Sequence, residues 1–144
     1  MKSAALILFI ICVTVSGFSQ AVKGKWKTID DNTGKVRSVV ELYERDNMIF
    51  GKVVRIFPAP GMDADPVCEK CDEEDPRYMK KVIGMEIIKD MKKNGQEYSS
   101  GEILDPEVGK VYRCKICLEG SDLMDRGYLG PFFRTQTWKR EPNG

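Results

Sequence analysis

The chain has 144 residues, 23 basic and 22 acidic side chains, and no histidine. So even a balance argues against nucleic acid as a partner, because phosphate binding needs a basic excess or a clustered basic stripe. Lack of histidine removes Ser-His-Asp triads, Cys-His pairs and the commonest zinc chemistry, and the carboxylates and lysines that remain are what any solvated surface offers.

Residues 1–19 read as a secretory signal peptide: Lys2, the apolar run Ala4 to Val15, then the small residues Gly17 and Ser19. The run is shorter than the roughly 20 residues of a membrane span, and Cys12 lies inside it rather than after it, where a lipoprotein acceptor would stand. No membrane anchor is expected. Cleavage after Ser19 leaves Gln20 as the mature N-terminus, with a cut after Ala21 as the alternative. Export, to the periplasm or beyond the cell, favours disulfides among the later cysteines. Residues 20–144 then form a single domain, long enough to bury about two thirds of its unfolded surface.

Along this domain short apolar runs alternate with turn signals about every ten residues, the spacing of an antiparallel all-β fold. Trp26 to Ile29 opens the series, and Asp30-Asp31-Asn32-Thr33-Gly34-Lys35 turns the chain into Val36 to Tyr43. Arg45-Asp46-Asn47 leads to Met48 to Phe57, rich in β-branched and aromatic residues. Pro58 to Tyr78 is a long loop of Pro, Gly, Asp and Glu, of the kind that carries function or closes a mouth. Val82 to Met91 returns as a strand with Ile83, Met85, Ile87 and Met91 on one face, and Asn94-Gly95 signals a hairpin into Tyr98 to Leu104. Asp105 to Lys110 turns the chain into Val111 to Leu118, Gly120-Ser121-Asp122 into Leu123 to Leu129, and Arg134 to Arg140 is last. About eight strands joined mainly by short turns predict a single antiparallel up-and-down β-barrel, because closure removes exposed edges. A β-sandwich is the alternative.

Three stretches carry a family likeness: Gly24-Lys25-Trp26-Lys27-Thr28-Ile29-Asp30-Asp31; Ile103-Leu104-Asp105-Pro106 with Gly109-Lys110-Val111-Tyr112; and Arg126-Gly127-Tyr128-Leu129-Gly130 followed by Arg134-Thr135-Gln136-Thr137-Trp138. They resemble the family called domain of unknown function 2147, secreted bacterial proteins without an assigned activity, from about Val22 to Arg140. The resemblance implies a calycin or lipocalin-like barrel, in which a glycine-any-tryptophan motif opens the first strand and an arginine of the last strand crosses the tryptophan. Trp26 fits that motif, and Arg134 or Arg140 is the arginine that would cross it. Asp125 departs from the family pattern, in which an apolar residue is expected before Arg126-Gly127-Tyr128.

Cys68 and Cys71 stand as Cys-x-x-Cys in the long loop, and Cys114 and Cys117 repeat the spacing, as in a four-cysteine zinc ribbon. In the second pair's strand, however, Tyr112, Cys114, Ile116 and Leu118 share one face while Arg113, Lys115 and Cys117 share the other. Residues three apart on a strand lie about 10 Å from each other and point to opposite sides. They cannot clasp one metal or bridge each other without bending the backbone. Structural disulfide or inert thiol roles are therefore favoured over structural zinc or redox work, and no metal or cofactor is expected. Cys68 with Cys71 is the favoured bridge. Cys117 joining the loop to the barrel wall is the other, with Cys114 as a small buried hydrophobe.

Arg126 and Tyr128 share one face of their strand, and Arg134, Gln136 and Trp138 one face of the next. If these project into one barrel interior, Arg126 or Arg134 with Tyr128 would hold the carboxylate of a small apolar ligand, such as a fatty acid. For Arg134 and Arg140 the structural alternative is stacking on Trp26. Asp63 to Asp65 with Glu69, and Asp72-Glu73-Glu74-Asp75, lack the spaced ligands of a calcium loop and read as solvated. The Asp30 to Lys35 and Asp105 to Lys110 turns lack the Walker spacing. Sequence alone thus points to an exported binding module for a small apolar ligand, and to no enzyme, since no nucleophile stands with a base. An envelope structural or interaction protein with a filled barrel is the second reading, and a zinc-binding or redox protein the third.

Overall fold

Eight antiparallel strands follow one another around a closed ring in the computed structural model, which describes residues 21–142. The expected signal peptide, residues 1–19, and its cut after Ser19 lie outside those residues. The strands are β1 (Gly24–Ile29), β2 (Val36–Arg45), β3 (Met48–Ile56), β4 (Glu86–Asn94), β5 (Glu97–Asp105), β6 (Lys110–Glu119), β7 (Asp122–Leu129) and β8 (Phe132–Arg140). Each pairs with its successor, and β8 pairs with β1 through Trp26 opposite Arg140 and Lys27 opposite Lys139. The chain is thus the expected all-β up-and-down barrel, closed where Trp26 and Lys27 meet Arg140 and Lys139.

Local chemistry fixes the turns. Asp30 Oδ1 accepts the backbone N–H groups of Asn32 and Thr33 at 2.8 and 2.9 Å, closing the β1–β2 connection. Asp46 and Asn47, both left-handed with φ of 53° and 59°, make the two-residue turn whose twist suits a β-hairpin. The Asn94-Gly95 signal finds its hairpin one residue later, since Asn94 still pairs with Glu97 and the turn is Gly95-Gln96.

The fourth strand differs from expectation at its start. It begins at Glu86 rather than Val82, because the chain turns at Val82–Met85, with Met85 N–H bonded to Val82 O, before it can run extended. Val82 and Met85 are buried, but Ile83, expected on one face with Met85, Ile87 and Met91, is exposed. The pairing with β3 shifts twice, once at Ile87, so that Ile87 and Ile88 are both buried, and again at Lys89–Asp90, where Asp90 takes φ 58° and Met91 turns inward. A bulge of this kind inserts a residue and resets which face the following side chains occupy.

The two ends of the barrel are built differently. One end carries the β2–β3, β4–β5 and β6–β7 turns together with β1's first residue and β8's last. Here Trp26, Leu42, Met91, Ile116, Leu123 and Trp138 are all 2 % exposed or less and pack into one cluster. Each such aliphatic side chain contributes about 1.5–3 kcal/mol by leaving water. Residues 21–23 cross this end: Trp26 Nε1 donates to Val22 O at 2.8 Å, and Arg140 donates to Lys23 O and Ala21 O at 3.2 and 2.9 Å. The other end carries the β1–β2, β5–β6 and β7–β8 turns and the long loop between β3 and β4.

Candidate functional site

At this second end the barrel holds an open cavity of about 1300 Å³. Apolar side chains from most of the strands form its walls, among them Val53, Ile87, Ile103, Leu104 and Trp138. Pro58 to Pro60, Met62 and Val67 of the long loop add part of the wall, and Leu129, Phe132 and Phe133 of the β7–β8 hairpin stand at the rim.

The loop is fixed rather than draped. Cys68 and Cys71 are bridged, with Cα atoms 5.5 Å apart. Cys68 N–H donates to Lys80 O at 2.8 Å and Met79 N–H returns to Cys68 O at 2.9 Å, so the two arms of the loop are stitched together. Arg77, only 9 % exposed, donates to both Asp75 oxygens and to Glu86 O at 3.1 Å, tying the loop to the start of β4. That guanidinium holds the Asp75 carboxyl down at about 2, against the cost of burial. Gly109, with φ 71° in the β5–β6 turn, lies so close to Lys70 that any Cβ there would overlap the Lys70 carbonyl. The bridged segment therefore seats directly on the β5–β6 turn, where only glycine fits.

Strand register separates the residues singled out from the sequence. On β7 the inward series is Leu123, Asp125 and Gly127, and across the β7–β8 pairing these face Trp138, Gln136 and Arg134. Arg134, Gln136 and Trp138 thus do share the cavity. Arg126 and Tyr128 do not, because they fall on the opposite parity of β7 and face outward. Arg126 Nε donates to Thr135 Oγ1 at 2.9 Å, its guanidinium lies 4.6 Å from the Phe133 ring centroid, and Tyr128 packs against Phe133 at 6.2 Å. Arg134 stands exposed at the mouth, donating to Asp31 Oδ2 at 3.0 Å through Nε. The expected interior carboxylate clamp of Arg126 or Arg134 with Tyr128 therefore does not form. At the sealed end it is Arg140, and not Arg134, that crosses Trp26, at 4.1 Å from its ring.

What lies inside instead is an acid. Asp125 is 4 % exposed, lines the cavity, and receives the Cys114 thiol hydrogen on Oδ1 at 2.9 Å. Burial pushes the Asp125 carboxyl up to about 6, although the thiol's hydrogen bond pulls the other way. Burial first, and then the neighbouring Asp125, push the Cys114 thiol well above its usual range, so it stays a donor and not a thiolate. Cys117 sits on the other face of β6, half-buried among Glu97, Lys115, Met124 and Arg126. Cys114 and Cys117 thus point to opposite sides of the wall. A second polar pair, Thr28 and Ser38 with hydroxyls 2.7 Å apart, lines the wall formed by β1 and β2.

Asp125 was visible in the sequence as a departure from an apolar pattern, but its direction was not. The signal that resolves it is the partner of Leu123. An apolar residue opposite a tryptophan marks the inward parity, and Asp125 is two residues on.

A family model described as an uncharacterized protein conserved in bacteria, DUF2147, matches residues 24–140. Among solved structures the chain resembles Protein HP1028 from Helicobacter pylori, described as belonging to the lipocalin family. The TM-score is 0.71 at 20% identity, covering 85% of this chain and 84% of that one. At that identity the likeness concerns the fold. Among curated proteins, a polyribonucleotide nucleotidyltransferase of Anaplasma phagocytophilum (strain HZ) is 28% identical over 96 residues, 63% of this chain. The matched part spans only 11% of that relative's length.

Proposed function

The chain belongs to the DUF2147 family, and from that premise we propose that it is a binding protein whose barrel holds one small, largely apolar ligand. The observation that carries this is the cavity of about 1300 Å³, open at one end and walled mainly by aliphatic and aromatic side chains. Eight-stranded barrels are of the size that either fills with side chains or admits one small ligand. Here side chains fill one half and leave the other, which weighs against the filled-barrel reading. A fatty acid entering with its carboxylate inward would meet Asp125. Entering tail first, it would leave its head near Arg134, already engaged by Asp31. We take the protein to be a container rather than an enzyme, a reading supported by the protonated state of the Cys114 thiol. We also take it to work outside the cytosol, which the Cys68–Cys71 bridge supports, since oxidising compartments preserve such bonds.

Native mass spectrometry of protein isolated from its own host tests the reading: a bound species of small-molecule mass is expected. Gly127→Leu provides the control. A Cβ at Gly127 meets Tyr112 only at ordinary contact distance, 3.7 Å, so the position accepts a side chain that then projects into the cavity. The variant should fold and lose binding of apolar probes. No bound species, together with no affinity for any apolar probe, would sink the container reading.

A further inference from the structure

We propose that the cavity selects an apolar amine, bound with its ammonium group inward against Asp125. The inference rests on the container reading and adds the chemistry of the ligand's inner end. Asp125 Oδ1 is occupied by the Cys114 thiol, whereas Oδ2 has no hydrogen-bond partner among the described residues. No cationic side chain among them pairs with this carboxylate either, although charges so deeply buried are ordinarily paired. Directly across the β7–β8 pairing stands Gln136, which also lines the cavity. Side chains so opposed have Cβ atoms about 4.5–5.5 Å apart and can reach one common atom. An ammonium group donates to Asp125 Oδ2 and to the Gln136 carbonyl at once.

The charge of the lining points the same way. Asp30, Asp63, Glu69, Asp105, Glu107 and Asp125 contribute carboxylates, against Lys35, Arg37, Lys70 and Arg134 as cations. Arg37 and Glu107 offset each other as an ion pair, and Arg134 is engaged by Asp31, which leaves five carboxylates against Lys35 and Lys70. A field of this sign raises the local concentration of cations and lowers that of anions. Burial without a cation leaves the Asp125 carboxyl high, and a bound ammonium reverses the balance by favouring the ionised form.

The test is calorimetric titration of the purified mature protein at pH 7.5 with three probes of equal chain length: octylamine, 1-octanol and octanoate. Octylamine should bind about tenfold more tightly than octanol, as expected of one added charge-assisted hydrogen bond, and octanoate most weakly. In Asp125→Asn, which keeps the side chain's size and removes its charge, octylamine should fall to the affinity of octanol. Octanol or octanoate binding as tightly as octylamine overturns the proposal while leaving the container reading standing, and so does an amine preference that survives Asp125→Asn. Failure of all three probes to bind removes both. The ranking in the unsubstituted protein is decisive without the variant.

Discussion

The two halves of this barrel use the same strands for opposite purposes. Toward the termini the inward positions are large and apolar, and they meet: Trp26, Leu42, Ile116, Leu123 and Trp138 leave no room. Toward the long loop the inward positions of β7 shrink and turn polar. Leu123 gives way to Asp125 and then Gly127, and the cavity opens beside them while β7 and β8 stay paired. Stability is thus concentrated at one end and chemistry at the other, a division that lets a small domain keep an empty interior without losing its core.

That division is open to attack, and the largest effect belongs to the sealed end. Trp26→Ala removes a fully buried indole and its bond to Val22, and should cost about 3–5 kcal/mol of unfolding free energy in denaturant titrations. A loss below about 1 kcal/mol would show that the sealed end is not where the fold is anchored.

Next comes Asp125→Asn, which should stabilise the protein at pH 7.5. The folded carboxyl stands near 6 against an unfolded value of 3.8, so the native state binds the proton more tightly. Stability associated with that proton is full below the unfolded value and is lost as pH rises through the folded one. Relative to the Asn variant, the native sequence should give up about 3 kcal/mol over the whole range from well below the unfolded value to well above the folded one, most of it between pH 4 and pH 7. A pH-independent difference between the two proteins would contradict the cavity environment described for Asp125.

Breaking the Cys68–Cys71 bridge with serines should cost about 2 kcal/mol, since the loop it closes is short. The loss should appear as faster exchange of the amide at position 68 and of those of Met79 and Lys80, with β1 and β8 near Trp26 unchanged. Spread of the effect to both ends would mean that they are one cooperative unit. The smallest effect is expected of Arg134→Ala, which removes an exposed ion pair with Asp31 at the mouth and should cost less than about 1 kcal/mol.

Architecture was legible in the residues because its signals are short-range and redundant. Period-two alternation and turn chemistry recur at every hairpin, and a displaced boundary such as Asn94-Gly95 costs nothing in topology. The start of β4 was less so, because Val82 and Met85 are buried by folding back onto β3 and not by belonging to a strand. The site was harder still, for one residue of parity decides whether a side chain faces ligand or water. Arg126 and Tyr128 carry the chemistry expected of a pocket, yet they occupy the outward parity of β7. Asp125 occupies the inward one, where its burial reflects contacts from β6 and β8 that no local pattern encodes.

The placement of the two tryptophans also equips the protein as its own optical instrument. Trp138 reaches the cavity from the sealed-end cluster and forms part of its wall, while Trp26, deeper in the same cluster, is capped by Arg140 and bonded to Val22. Entry of a guest should alter emission most from Trp138, the indole that lines the cavity. With only two such fluorophores in the chain, Trp26→Phe and Trp138→Phe variants would assign the signal without any attached dye.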